Sequence, residues 1–274
     1  MNLLGVDFTS APNRRKAITV ALGDAQHGVL TLRALKRLTD WQQFQTLLET
    51  PGPWLGGFDF PFGLPRELIN DLGWPATWSA MIGHCQTLGR RQFCAALNAY
   101  RESRPYGQRY AHRASDGPAG SSSPMKLVNP PVGLMFFEGA PRLLTAGVDL
   151  PGLHAGDRTR VALDAYPAYL ARKIVKGSYK NDAPAKQTLE RSRLRVEIVD
   201  ALCAAQVLGV RLSLPLRGSR AMLIEDASGD LLDAVLCLMQ AAWAAERCAH
   251  GYGLPAVIDP VEGWIVGVPP ALPA

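Results

Sequence analysis

Near its start the sequence reads Leu3-Leu4-Gly5-Val6-Asp7-Phe8, an apolar run in which Asp7 carries the only charge. A short apolar run of this kind predicts a buried strand. A second run, Trp54-Leu55-Gly56-Gly57-Phe58-Asp59-Phe60-Pro61, predicts another buried strand and also ends near an aspartate, Asp59. In open α/β sheets, ligands bind at the carboxyl ends of the strands. If the two strands are parallel neighbours, Asp7 and Asp59 lie together at one edge of the sheet.

The other predicted elements complete an α/β pattern. Residues 17–22 and 29–35 predict the two strands of an antiparallel hairpin, and residues 160–166 predict a fifth strand. A capping-box pattern predicts a helix over residues 40–49, and residues 184–208 predict a longer helix. Strands and helices in this order indicate an α/β fold with a mixed sheet.

Two more aspartates begin the last long apolar stretch of the chain, Asp230-Leu231-Leu232-Asp233-Ala234-Val235-Leu236-Cys237. This stretch predicts a buried final helix over residues 228–250. Because Asp230 and Asp233 are three residues apart, they lie on one face of the first turn. The helix dipole favours an acid in the first turn, which accounts for Asp230. It accounts less well for Asp233, which is surrounded by apolar residues.

Charged side chains are rarely buried without a partner, and carboxylates that crowd together raise one another's pKa. A bound Mg²⁺ or Mn²⁺ removes this repulsion, because hard cations prefer oxygen ligands. Two such ions can promote the hydrolysis of a phosphodiester bond. We therefore predict that four acids bind metal and are catalytic in a metal-dependent nuclease: Asp7, Asp59, Asp230 and Asp233.

The composition indicates a globular protein with one domain. The chain has 274 residues, of which 47% are hydrophobic and 19% are charged. We expect a single domain over residues 1–274, with a mostly helical insertion at residues 64–156 that contains a flexible loop at residues 115–124. No apolar run reaches the roughly 20 residues of a membrane span, and the cysteines form no CxxC pair. These features favour a cytoplasmic protein with reduced thiols and no membrane contact.

The positive charge is concentrated in two stretches, residues 90–126 and residues 172–195. Such stretches bind the phosphate backbones of nucleic acids, although solvated helix faces have the same composition. Nucleic acid is therefore the expected partner, of a type that the sequence leaves open, and protein partners are unknown. The residues predicted to contact the substrate phosphates are Lys180, Lys186, Arg14 and Arg15, with Lys16 beside them.

Five pieces of the chain, in order along its length, resemble domain-of-unknown-function family 429, whose members are described as predicted RNase H-like nucleases. The pieces are Gly5-Val6-Asp7-Phe8-Thr9-Ser10-Ala11, Gly57-Phe58-Asp59-Phe60-Pro61-Phe62-Gly63-Leu64-Pro65, Ala165-Tyr166-Pro167-Ala168, Asp230-Leu231-Leu232-Asp233-Ala234 and Glu262-Gly263-Trp264-Ile265. The resemblance implies an RNase H-like fold, in which a five-stranded mixed sheet of order 3-2-1-4-5 is flanked by helices. It also implies that the same four aspartates bind the metals. Asp164, where the family tends to have glutamate, and Glu262 are possible additional acids.

Two other functions are compatible with this pattern. Actin, sugar kinases and heat-shock ATPases begin with a strand that Asp7-Phe8-Thr9-Ser10 distantly resembles, which suggests an ATPase or phosphotransferase of the RNase H superfamily. Phe8 stands where such enzymes have glycine, and the chain has room for only one sheet, so this function is disfavoured. The other alternative is a non-catalytic protein that binds nucleic acid or serves as a scaffold.

Overall fold

The computed structural model of the chain describes residues 1–270 and is an α/β structure with one seven-stranded mixed sheet. The strands are β1 (Asn2–Asp7), β2 (Ile18–Gln26), β3 (Val29–Leu38), β4 (Trp54–Asp59), β5 (Val148–Asp149), β6 (Asp157–Asp164) and β7 (Arg211–Ser213). The helices are α1 (Trp41–Leu48), α2 (Arg66–Asp71), α3 (Trp78–Ser103), α4 (Asp116–Ala119), α5 (Val132–Ala146), α6 (Pro167–Ala171), α7 (Leu189–Cys203), α8 (Ser219–Glu225) and α9 (Asp230–Ala245).

The sheet has the order β5-β6-β4-β1-β2-β3-β7, so the first strand lies at its centre. β1 pairs antiparallel with β2, which pairs antiparallel with β3. On its other side β1 pairs parallel with β4, which pairs parallel with β6. The parallel register places Asp7 directly beside Asp59, as the two apolar runs predict.

Helices cover both faces of the sheet. Alternate residues of a strand point to opposite faces. Leu4 and Val6 of β1 accordingly contribute to a core that includes residues of α1, α3 and α5. Leu3 contributes to a second core, which includes residues of α7, α8 and α9. The central strand is therefore buried from both sides, which explains why its sequence is almost entirely apolar.

Two glycines allow α9 to lie directly against the central strands. A Cβ atom added to Gly5 of β1 would lie 2.1 Å from the backbone oxygen of Ala234, and one added to Gly57 of β4 would lie 2.6 Å from that of Cys237. These separations are too short for any side chain, so both positions require glycine. The close contact brings the first turn of α9 to the end of the sheet where β1 and β4 end.

The five predicted strands are present as β1, β2, β3, β4 and β6, and they are neighbours in the expected order 3-2-1-4-5. The predicted number of strands is wrong, because β5 and β7 extend the two edges of the sheet. These strands have 2 and 3 residues, which is too short to produce a hydrophobic pattern. The helices predicted over residues 184–208 and 228–250 are also shorter, since they become α7 and α9.

The proposed insertion, residues 64–156, contains α2 to α5 and the short strand β5. Its loop at residues 115–124 differs from expectation, since Ser115 and Asp116 are fully buried and the short helix α4 begins there. The reason is the buried Arg113, whose guanidinium donates two hydrogen bonds to Asp116, at 2.9 and 3.1 Å. Within residues 1–270, no helix has the length and apolar character needed to cross a membrane.

Candidate metal centre

Three of the four predicted metal ligands lie together. Asp7 at the end of β1, Asp59 at the end of β4 and Asp233 in the first turn of α9 each offer a carboxylate oxygen, and these three atoms lie within 4.8 Å of one another. Asp7 is 6% exposed and Asp233 is fully buried, whereas Asp59 is partly exposed. The parallel register of β1 and β4 and the close approach of α9 produce this arrangement.

Burial makes the charged form of all three acids unfavourable. It is the largest cause that raises the pKa of Asp59 to about 8, and the charge of Asp233 adds to it. Burial and the charge of Asp233 likewise hold the pKa of Asp7 well above its ordinary value. The pKa of Asp233 is also raised by burial, although Lys180 opposes this effect. The three carboxylates therefore cannot all be ionised at neutral pH without additional positive charge.

Lys180 supplies part of that charge from within the protein. Its ammonium group forms an ion pair with Asp233, whose other carboxylate oxygen accepts a hydrogen bond from the hydroxyl of Tyr179. Burial lowers the pKa of Lys180, but Asp233, Tyr179, Asp7 and Asp59 together more than offset this and leave the pKa well above its ordinary value. The structure places Lys180 against the acids, in the lining of the cleft, and its contact with substrate phosphate stays a prediction. Tyr179 was not identified from the sequence, and only its position beside Lys180 could have indicated it.

Asp230, the fourth predicted ligand, lies outside the group of three. It is 3% exposed, and its carboxylate is 2.7 Å from the ammonium group of Lys16. Lys16 also contacts the exposed Asp182, at 3.1 Å. The first turn of α9 thus directs its two acids to different cations. The role of Asp230 as a metal ligand stays a prediction.

The remaining candidates from the sequence lie elsewhere. Arg14, Arg15 and Lys186 are exposed and are not among the residues that line the cleft around the three acids. The structure therefore brings none of these three to the site, because the loop before β2 and the turn before α7 point them towards solvent.

The two possible additional acids hold the insertion in place. Asp164, at the end of β6, forms a buried ion pair with Arg113 at 2.5 Å and accepts a hydrogen bond from the backbone nitrogen of Phe62. Glu262 accepts hydrogen bonds from the backbone nitrogens of Arg66 and Ala114, at 2.7 and 2.8 Å. These contacts give both carboxylates a structural role. Arg113 was not singled out in the sequence, because its partners Asp164 and Glu262 are 51 and 149 residues away.

A buried hydroxyl group lies next to Asp7. Thr19 of β2 is directly opposite Asp7 in the antiparallel pair, so the two side chains share the face that α9 covers. Thr19 is fully buried, and its Oγ1 has no hydrogen-bond partner in the part of the chain that the structure describes. A buried hydroxyl without a protein partner is unusual, and it offers one more oxygen atom beside Asp7. The register of β1 with β2 decides this position, and the sequence predicted a hairpin only between β2 and β3.

The acids open into a cleft of about 750 Å³. Five carboxyl groups and three cationic side chains are among the described residues that line it, so the cleft has no excess of positive charge. The acids are Asp7, Asp59, Asp164, Asp182 and Asp230, and the cations are Lys16, Arg113 and Lys180. An anionic substrate can enter such a cleft only together with cations.

The three carboxylates fit a divalent cation. Oxygen ligands of Mg²⁺ lie about 2.0–2.1 Å from the ion, so two ligands on opposite sides are about 4.2 Å apart. The oxygens of Asp7, Asp59 and Asp233 lie within 4.8 Å of one another, so small movements would let all three contact one ion. All three are hard oxygen donors, which favours Mg²⁺ or Mn²⁺ over softer metals.

Comparisons of the chain with protein-family models, with curated proteins and with solved structures found no match. The function is therefore inferred from the fold and from the chemistry of the site.

Proposed function

We propose that this protein is a divalent-metal-dependent nuclease of the RNase H-like class, related to the family that its sequence resembles. The observation that carries this proposal is the meeting of Asp7, Asp59 and Asp233 within 4.8 Å. The topology supports it, because the acids stand on the first strand, at the end of the fourth strand and on the last helix, around a strand order of 3-2-1-4-5.

In this proposal Asp7, Asp59 and Asp233 hold Mg²⁺ or Mn²⁺. The bound ion lowers the pKa of water and stabilises the negative charge of the phosphodiester during hydrolysis. For a two-metal reaction, Asp230 would be the residue that holds the second ion. Lys180 balances the buried charge of Asp233, and Tyr179 fixes the orientation of that carboxylate.

The lack of excess positive charge in the cleft favours a metal-dependent enzyme over a simple binding protein. Nucleic-acid-binding proteins attract phosphates with lysine and arginine, yet here the acids outnumber the cations. Buried carboxylates reduce stability when they lack a counter-ion. Retaining Asp7, Asp59 and Asp233 together is easiest to explain if they bind a cation that the function requires.

The proposal is tested by metal-dependent stabilisation and by cleavage. We expect Mn²⁺ to raise the melting temperature of the protein, because a ligand that binds only the folded state stabilises it. We also expect cleavage of labelled RNA or DNA in Mg²⁺ or Mn²⁺, and loss of both effects in Asp7→Asn and Asp233→Asn. Asp24→Asn, which removes the same charge from β2 far from the site, is the control and should retain both. Full activity of both site variants would refute the proposal.

A further inference from the structure

We infer that the cleft accepts a nucleoside phosphate whose base is unpaired, as at the end of a single strand, and excludes the interior of a duplex. The inference rests on the proposed nuclease function and names its class of substrate. Its basis is the shape and lining of the cleft around the acids.

The insertion turns the edge of the sheet into a pocket with a second wall. The acids lie at the ends of β1 and β4. The lining is completed by residues 129–132, which lead into α5, by Met135 in the first turn of α5, and by Ser121 and Ser122. The volume of about 750 Å³ lies within the range of small-molecule sites, which is roughly 300–1,000 Å³. A pocket of this size holds about one or two nucleotides.

Much of the lining is suited to a base and a sugar. Tyr166, Pro131 and Met135 provide apolar surface on which a base can stack, and serine, threonine and asparagine side chains offer hydrogen bonds to the sugar and base edges. The ring of Tyr166 is partly exposed and is supported by the guanidinium of Arg172, whose central carbon lies 5.2 Å from the ring centroid. Unpaired bases bind to aromatic side chains in this way, largely independently of sequence.

A duplex fits this lining poorly. Its bases are already stacked and paired, so it offers mainly phosphates to a protein, and its affinity depends on free lysine and arginine. Each of the three cations in the cleft is already paired with an acid: Lys16 with Asp230, Arg113 with Asp164 and Lys180 with Asp233. The apolar wall is therefore the largest surface that remains for recognition, and only an unpaired base can use it.

Binding to three probes tests the inference with the full chain in Ca²⁺. The probes are a fluorescent single-stranded octanucleotide, a hairpin of the same sequence composition whose blunt stem is closed by a linker without bases, and an unlabelled dinucleotide as competitor. We expect the single strand to bind at least about tenfold more tightly than the hairpin, which corresponds to the stacking of one base. If the dinucleotide competes at a concentration similar to that of the octanucleotide, free short products are the substrates. If it competes only at a much higher concentration, strand ends are the substrates.

Variants of Tyr166 connect the preference to the proposed wall. Tyr166→Ala should weaken binding of the single strand about tenfold, Tyr166→Phe should restore it because stacking requires only the ring, and Tyr106→Ala should change nothing. Tyr106 is the matched control, since it is 91% exposed and does not line the cleft. Equal binding of hairpin and strand, no binding of either, or an unchanged affinity in Tyr166→Ala would overturn the inference. Cleavage by the wild-type protein is scored separately, so a failed nuclease proposal remains distinguishable from a wrong substrate class.

Discussion

Replacing Asp59 with asparagine should make the protein more stable in the absence of metal and unable to gain stability from metal. The pKa of Asp59 is raised from 3.8 to about 8 by burial and by neighbouring charges, with no hydrogen bond among the causes. Asparagine has nearly the same shape and no charge. Asp59→Asn therefore removes the cost of burial and the repulsion from Asp233, which outweigh the attraction of Lys180, and it also removes one ligand of the proposed metal.

The size and the sign of the effect follow from the pKa. Because the folded state binds the proton more tightly than the unfolded chain, the contribution of Asp59 to stability is fully present below pH 4 and is lost as the pH rises to about 8. A rise in the pKa from 3.8 to about 8 corresponds to at most about 6 kcal/mol in the free energy of unfolding. Because Asp59 is partly exposed, solvent screening reduces this energy. We therefore expect Asp59→Asn to raise the free energy of unfolding by about 3 kcal/mol above pH 8. For a chain of this length that is roughly 6–10 °C in melting temperature.

Thermal unfolding in EDTA at pH 4.5 and pH 8.5 measures the effect. The wild type and Asp59→Asn should melt at similar temperatures at the lower pH, and the variant should melt higher at the upper pH. Adding Mn²⁺ at pH 8.5 should then raise the melting temperature of the wild type alone. Asp24→Asn is again the control, because Arg33 lowers the pKa of Asp24 and its removal should not stabilise the protein. A variant that is less stable than the wild type at pH 8.5 in EDTA would refute this reasoning.

Three further predictions concern the surroundings of the site. Lys180→Met should lower stability in EDTA and increase the affinity for Mn²⁺ in calorimetric titrations, because the buried aspartate loses its internal counter-ion; an unchanged affinity would contradict this role. Gly5→Ala should lower the free energy of unfolding, measured in urea, by more than about 3 kcal/mol, since its Cβ would lie 2.1 Å from a backbone oxygen of α9. Gly83→Ala in α3, which meets nothing within 4 Å, should instead stabilise by about 0.5–1 kcal/mol. Asp164→Asn should destabilise by about 2–3 kcal/mol, because it weakens a buried ion pair, yet stabilisation by Mn²⁺ should persist; its loss would make this residue a ligand.

The sequence by itself determined the central elements and the acids they carry. β1, β4 and α9 are apolar along most of their length, and such runs are visible within windows of six to sixteen residues. Asp7, Asp59 and Asp233 stand out because they are charges within those runs. The local sequence was sufficient to predict these elements and acids, because a buried element needs apolar side chains along its whole length.

Only the tertiary structure decided which acids meet and which are paired with cations. Asp230 and Asp233 are equivalent in the sequence, yet Lys16 holds the first and Lys180 the second, over separations of 214 and 53 residues. The burial of Asp116 and the second wall of the cleft likewise depend on segments far apart in the chain. The two ion pairs of α9 depend on its close approach to the sheet, and no local window of sequence contains both partners of either pair.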